Sequence, residues 1–152
     1  MSAPSLQPSS PSPSSARGDA SLRRSGGLAR LATLDFAATK VGLEAARYRV
    51  ITLPAGIVDK ATFFAAVRAT LPLVPALAED KWDALDDSLF EGLLELPEDR
   101  VAILWTGAGP MRASEPGAFS AAIQVLENVA RSLLHGEYTL GPPKSVLVVV
   151  DA

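Results

Sequence analysis

The chain contains no cysteine, and this absence excludes disulfide bonds, thiol nucleophiles and thiolate metal sites. Histidine occurs once, as His135, so a zinc site built from paired histidines is excluded too, and we expect neither a metal nor a cofactor. Basic residues are also in short supply: 14 Lys and Arg stand against 17 Asp and Glu, for a net charge of −3. Such a protein lacks the basic surface that displaces counterions from nucleic acid, so we expect no nucleic-acid binding.

Long apolar runs are also missing. The runs that occur, such as residues 146–150, have the length of a strand, far short of the ~20 residues that a membrane-spanning helix needs. Near the N-terminus prolines alternate with serines, where a secretion signal would need a continuous apolar stretch. The lack of cysteine agrees with a reducing compartment. We therefore expect a cytoplasmic monomer that does not associate with membranes.

Residues 1–27 differ in composition from the rest of the chain. They consist mainly of Ser, Pro, Gly and Ala, with almost no large apolar side chains. Such a segment cannot bury enough surface to offset the entropy lost on ordering, so we predict a disordered tail. The remaining residues, 28–152, are enough for one domain with a substantial core.

Beyond the tail, strand-like and helix-like patterns alternate. The predicted strands are 28–33, 47–53, 100–105 and 145–150; the predicted helices are 34–46, 60–71 after an N-cap at Asp59, 80–94, and one ending near His135 and Gly136. Residues 106–117, with three glycines and two prolines, are predicted to form a loop. Strands that are apolar throughout and alternate with helices predict an α/β fold, with a small parallel sheet of three to four strands and flanking helices.

Apolar spacing also predicts which side chains face the core. In the helix over 34–46 we expect the apolar side to comprise Phe36, Ala37, Val41 and Leu43. Trp82 and Trp105 each lie in an apolar repeat and are predicted core residues. His135, at a helix end and without a second histidine, is assigned a structural role.

The helix predicted over 80–94 carries an acidic stripe. Spacings of three and four place four carboxylates on one face, those of Asp80, Asp83, Asp87 and Glu91. Trp82, Leu85 and Leu89 face inward. Like charges at this spacing destabilise a helix by about 0.2–0.5 kcal/mol per pair, and only Asp80 lies where the helix dipole favours an anion. Folding alone gives no reason for Asp87, so the stripe is either a solvated face or a surface for a basic partner.

The segment Trp82-Asp83-Ala84-Leu85-x-Asp87-x-Leu89 resembles the barstar family of intracellular ribonuclease inhibitors. The order of elements around it is similar as well. A Phe-containing helix and a Pro-bearing turn at residues 71–75 precede the segment, and a strand and a final helix–strand pair follow it. The resemblance covers roughly residues 47–151 and implies a barstar-like fold.

The resemblance also implies a function and a site. In that family the helix with this motif fills the active site of a basic secreted ribonuclease. Asp83 and Asp87 match its two key acidic positions, with Asp87 in a phosphate subsite, and Ala84 matches a small residue that permits close approach. A carboxylate held on a helix can replace phosphate through charge-assisted hydrogen bonds. The further residues assigned to the partner surface are Asp80, Lys81, Glu91 and, for an acidic contact on the last helix, Asn128 or Glu127.

The chain departs from the family just before the motif. Where members carry aromatics, a glycine and an asparagine, it has Leu77, Ala78, Glu79 and Lys81. Two alternatives therefore remain beside the ribonuclease inhibitor: an immunity or adaptor protein for another basic partner, and a small nucleotide-binding enzyme using the loop 106–117. In that loop Pro110 and Arg112 break the glycine pattern of a phosphate-binding turn, so we expect a protein that is not an enzyme.

Overall fold

The computed structural model describes residues 27–31, 36–135 and 143–151 of the chain. The elements in chain order are β1 (Gly27–Leu31), α1 (Phe36–Ala45), β2 (Arg49–Leu53), α2 (Lys60–Thr70), α3 (Trp82–Glu95), β3 (Arg100–Trp105), α4 (Gly109–Ser114), α5 (Pro116–His135) and β4 (Ser145–Asp151). The four strands form one sheet in the order β1-β4-β3-β2, and every neighbouring pair is parallel. The predicted α/β class and the parallel sheet with flanking helices are confirmed.

Alternate residues of the central strands face two different layers. In β3, Val101, Ile103 and Trp105 belong to the larger core, which they share with α2, α3, α4 and α5. Ala102 and Leu104 point to the other face, where α1 covers them with Leu43. The continuous apolar runs of β3 and β4 are explained by this arrangement, because helices cover both faces of the sheet.

The start of α2 follows from a capping box. The carboxylate of Asp59 accepts a hydrogen bond from the backbone N–H of Thr62 at 2.9 Å, and the Thr62 hydroxyl accepts one from the backbone N–H of Asp59 at 3.0 Å. The backbone hydrogen bond from Thr62, followed by the one from its hydroxyl, lowers the pKa of Asp59. Phe63 and Phe64 are fully buried, and the helix ends before Pro72, so the predicted helix is confirmed.

The apolar side predicted for α1 is wrong in part. Leu43 is buried and Phe36 packs against the same cluster, but Ala37 is exposed and Val41 is 65% exposed. Val41 lies two residues before Leu43, about 200° around a helix with 3.6 residues per turn, so the two side chains point in nearly opposite directions. A helix on the outside of a sheet buries only the narrow stripe that faces the strands.

The loop predicted over residues 106–117 is also wrong, because most of it is helical. After a turn at Gly107, whose φ is +69°, the chain forms α4 and then enters α5 at Pro116. Met111 of α4 is fully buried in the larger core. Pro110 and Pro116 lie in the first turns of their helices, where no N–H is required, so both prolines begin helices that the sequence pattern assigned to a loop.

Some predictions fall at or beyond the limits of the described residues. β1 begins at Gly27, one residue inside the predicted tail. Residues 1–26 lie outside the described ranges, as does Gly136, the predicted cap of α5. Among the helices of the described ranges, none has the length and apolarity to cross a membrane.

Candidate functional site: an acidic face on α3

Contacts on two sides hold α3 in place. Leu85, Leu89 and Leu93 are fully buried against the core. On another side the helix meets the chain that follows α2: a Cβ placed on Gly92 would lie 2.0 Å from the carbonyl oxygen of Pro72. In the same segment, the backbone N–H of Val74 donates a hydrogen bond to the carbonyl of Ser88 at 3.0 Å. These contacts hold α3 in place, so the side chains on its outward face project from a fixed backbone.

Aromatic rings surround the first residue of α3. Trp82 is partly buried, with its ring centroid 5.9 Å from that of Phe63 and 4.9 Å from that of Phe64. Lys60 Nζ lies 5.5 Å from the centroid of the Trp82 ring. Trp105 is fully buried, 5.1 Å from Phe63. The prediction that both tryptophans belong to the core is confirmed for Trp105, whereas Trp82 lies at its margin.

The acidic face consists of Asp83, Asp87 and Glu91, which are exposed and four residues apart along α3. Within the described ranges no Lys or Arg forms an ion pair with any of the three. Ala84, half-buried, lies next to Asp83. The carboxylates that the sequence placed outward at 83 and 87 do point to solvent, and their charges are not neutralised by a side chain of the described residues.

Asp80 does not lie on this face, so the predicted stripe of four acids is wrong at its first member. The chain is still extended at Lys81, and α3 begins at Trp82. Asp80 instead pairs with Arg68 of α2, with 2.6 Å between Oδ1 and Nη2. Lys81 Nζ lies 2.9 Å from Glu79 Oε1, so its positive charge beside the acidic face is partly offset. The roles of Asp80 and Lys81 in binding a partner stay predictions.

Asp86 is a fourth carboxylate that the sequence pattern did not single out. Its half-buried side chain lies beside that of Asn128 on α5. Burial raises the pKa of Asp86, the negative charges of Asp87 and then Asp83 raise it further, and a hydrogen bond from Asn128 partly offsets these effects. Position 86 lies between the buried and the exposed sides of α3, and only the packing of α5 decides what it meets.

Asn128, assigned from the sequence to the partner surface, therefore also links the two helices. Besides its contact with Asp86, its Oδ1 accepts a hydrogen bond from Arg131 Nη1 at 3.2 Å. Arg131 Nη2 in turn lies 3.9 Å from Glu127 Oε1. Arg131 of α5 is thus directed to Asn128 and Glu127, and within the described ranges it forms no ion pair with a carboxylate of α3.

Comparison with known proteins assigns the chain to a family. A family model described as Barstar (barnase inhibitor) matches residues 48–143, more than half of the chain. No curated protein and no solved structure gives a significant match. The matched span runs from the residue before β2 to the residue before Lys144, and it contains the whole of α3 with its acidic face. The chain belongs to the barstar family, as the motif at residues 82–89 predicted.

Proposed function

We propose that this protein inhibits a basic ribonuclease by binding over its active site through the acidic face of α3. Asp87 would occupy the position of a substrate phosphate, and Asp83 would pair with a second basic group of the same cleft. The family supports this proposal, since its description names an inhibitor of barnase. Inhibition of this kind needs no cofactor and no catalytic residue of the inhibitor.

The observation that carries the proposal is the state of Asp83 and Asp87. Both are exposed on a helix whose opposite side is fully buried, and neither forms an ion pair among the described residues. A rigid helix lowers the conformational entropy lost on binding, because the two carboxylates already have a fixed separation. A ribonuclease cleft offers cationic side chains that bind phosphate, and such groups form strong hydrogen bonds with carboxylates.

The rest of the proposal concerns the setting of the inhibitor. We propose a monomer that acts in the cytoplasm and protects it from the ribonuclease. The basic partner itself, and not RNA, would be the ligand, because a protein of net charge −3 repels the phosphate backbone. An adaptor for a basic partner other than a ribonuclease would use the same face, so only the identity of the target separates the two functions.

The proposal is tested with barnase as the probe. Titration calorimetry and an RNA-cleavage assay would compare the wild-type protein with the double variant Asp83→Ala/Asp87→Ala. We expect the wild type to bind one-to-one and to inhibit cleavage. Loss of one partner of a desolvated charge pair costs about 2 kcal/mol or more, so the double variant should bind at least about 30-fold more weakly.

The matched control is Glu44→Ala/Asp99→Ala, which changes the net charge by the same amount but alters exposed acids on α1 and before β3. This control should bind and inhibit as the wild type does. If the two double variants weaken the binding of barnase equally, overall charge, and not the face of α3, governs the interaction. A wild type that neither binds nor inhibits barnase or other basic secreted ribonucleases would contradict the proposal. The alternative, an adaptor for another basic partner, would then remain.

A further inference from the structure

Positive charges border the acidic face at the N-terminal end of α3. Lys81, the residue just before the helix, is exposed. Lys60 of α2 lies at the same end, with its Nζ 5.5 Å from the ring centroid of Trp82, the first residue of α3. We call Lys60 and Lys81 the cationic margin. The surface of α3 therefore changes sign along the helix, with ammonium groups at its beginning and the carboxylates of the acidic face after them.

The formation of α3 gives no reason for a lysine at position 81. Residue 81 is the N-cap of the helix, and its side chain makes no capping hydrogen bond. The residues preferred at an N-cap are Ser, Thr, Asp and Asn, whose side-chain oxygen accepts from a free backbone N–H, whereas an ammonium has no acceptor. The helix dipole also disfavours a cation at this end. Lys81 therefore weakens the start of α3, and such local conflicts are expected at functional sites.

Neighbouring acids hold Lys81 only loosely. Its Nζ lies 2.9 Å from Glu79 Oε1, but the two side chains are 69% and 64% exposed. Exposed ion pairs of this kind contribute little to stability, so Lys81 can exchange Glu79 for a carboxylate of a partner. Asp80, the other adjacent acid, pairs with Arg68. Lys60 forms no ion pair within the described ranges, so it adds to the positive potential at this end.

A partner that binds over the acidic face also meets Lys81. A single residue separates Lys81 from Asp83, so a partner group that contacts one of them lies close to the other. Where the partner is basic at this point, Lys81 faces a like charge, and such contacts oppose binding. Where the partner carries a carboxylate, the same ammonium gains an ion pair. One lysine thus separates two kinds of partner, since specificity is a difference between two affinities.

We propose that Lys81 selects ribonucleases that carry a carboxylate at the rim of the active site, next to the basic cleft that the acidic face fills. The inference rests on the proposed function, since it takes the acidic face as the partner-binding surface. It narrows the class of partner from a basic ribonuclease to one whose basic cleft has an acidic rim. Ribonucleases with a basic rim at this point are bound more weakly, because Lys81 repels them.

A second measurement checks what the lysine costs the helix. Lys81→Asn places a capping side chain at the start of α3, and its urea midpoint should be higher than that of the wild type. An unchanged or lower midpoint would show that α3 tolerates lysine as well as asparagine. The reason to assign Lys81 to recognition would then be lost.

The main test removes the charge of Lys81 and varies the charge of the probe. Titration calorimetry would compare the wild type and Lys81→Gln with barnase and with barnase variants in which one Arg or Lys at the rim of the active site is replaced by Glu. We expect Lys81→Gln to bind unmodified barnase at least as tightly as the wild type does. For one or more of the Glu variants the wild type should bind about tenfold more tightly than Lys81→Gln, because only the wild type can form the ion pair.

The matched control is Lys40→Gln, at an exposed position on α1, which changes the net charge equally and should bind every probe as the wild type does. Weaker binding of unmodified barnase by Lys81→Gln, or a Glu series in which the wild type is never favoured, would overturn the inference. If the wild type inhibits barnase in that case, the inference alone is wrong. If neither chain binds any probe, the proposed function fails and the inference fails with it.

Discussion

Ionisation of Asp86 lowers the stability of the folded protein. Its pKa is raised from the ordinary value by burial and by the neighbouring carboxylates, so the folded protein favours the protonated form more than the unfolded chain does. The stability linked to this proton is fully present below the ordinary aspartate pKa of 3.8 and is lost as pH rises through the raised value. At neutral pH the ionised group therefore destabilises the protein.

The variant Asp86→Asn should consequently be more stable than the wild type at pH 7. An amide has no charge to desolvate, and its oxygen can still accept the hydrogen bond from Asn128. The gain should shrink as the pH falls through the raised pKa of the wild-type carboxyl, which then becomes protonated. Urea denaturation at pH 7 and pH 4 measures the difference. Asp99→Asn, at an exposed position, is the matched control. An Asp86→Asn variant that is less stable than the wild type at pH 7 would contradict the expectation.

At the level of elements, the orientation of α3 depends on its contact with the chain after α2. Gly92 permits that contact, because any Cβ would overlap the backbone carbonyl of Pro72, which cannot rotate away as a side chain could. The hydrogen bond from the Val74 N–H to the Ser88 carbonyl joins the same two segments of the chain. The direction in which the acidic face points is set partly by a residue that has no side chain.

Replacement of this glycine should therefore loosen α3. We expect Gly92→Ala to lower the free energy of unfolding by about 1–3 kcal/mol, the usual cost of overpacking. Gly42→Ala in α1 is the matched control: its Cβ would meet nothing within 4 Å, and it should gain about 0.5–1 kcal/mol from the better helix former. Urea denaturation of both variants decides the matter, and equal effects at the two sites would argue against the contact.

For the whole molecule, the net charge of −3 and the acidic face of α3 should steer a basic partner toward the site. Exposed charges are screened over about 10 Å at 0.1 M salt and over about 30 Å at 0.01 M. The association rate with barnase should therefore fall about tenfold or more between 0.01 M and 0.15 M salt, with a smaller change in the dissociation rate.

Stopped-flow fluorescence measures both rates. In Asp83→Asn/Asp87→Asn the dependence of the association rate on salt should be shallower, because two of the steering charges are gone. An association rate that does not change with salt would indicate an interface dominated by apolar contacts.

Patterns in the amino-acid sequence were enough to predict the sheet, the family and the outward direction of two carboxylates. Runs such as residues 101–105 and 146–150 are apolar throughout, which is characteristic of parallel strands with helices on both faces. The motif at residues 82–89 was enough to indicate the family. Asp83 and Asp87 were placed outward by helical periodicity, because an angular position around one helix follows from spacing alone.

The contacts of each helix, and the residue at which it begins, depend on how the elements pack together. Arg68 of α2 forms an ion pair with Asp80, and Asn128 of α5 contacts Asp86 of α3. Gly92 packs against the backbone of Pro72. None of these partners is adjacent in the chain, so no local spacing contains them. Periodicity reports the direction in which a side chain leaves its own helix; the charge that remains on that side chain depends on the neighbouring elements that packing brings to it.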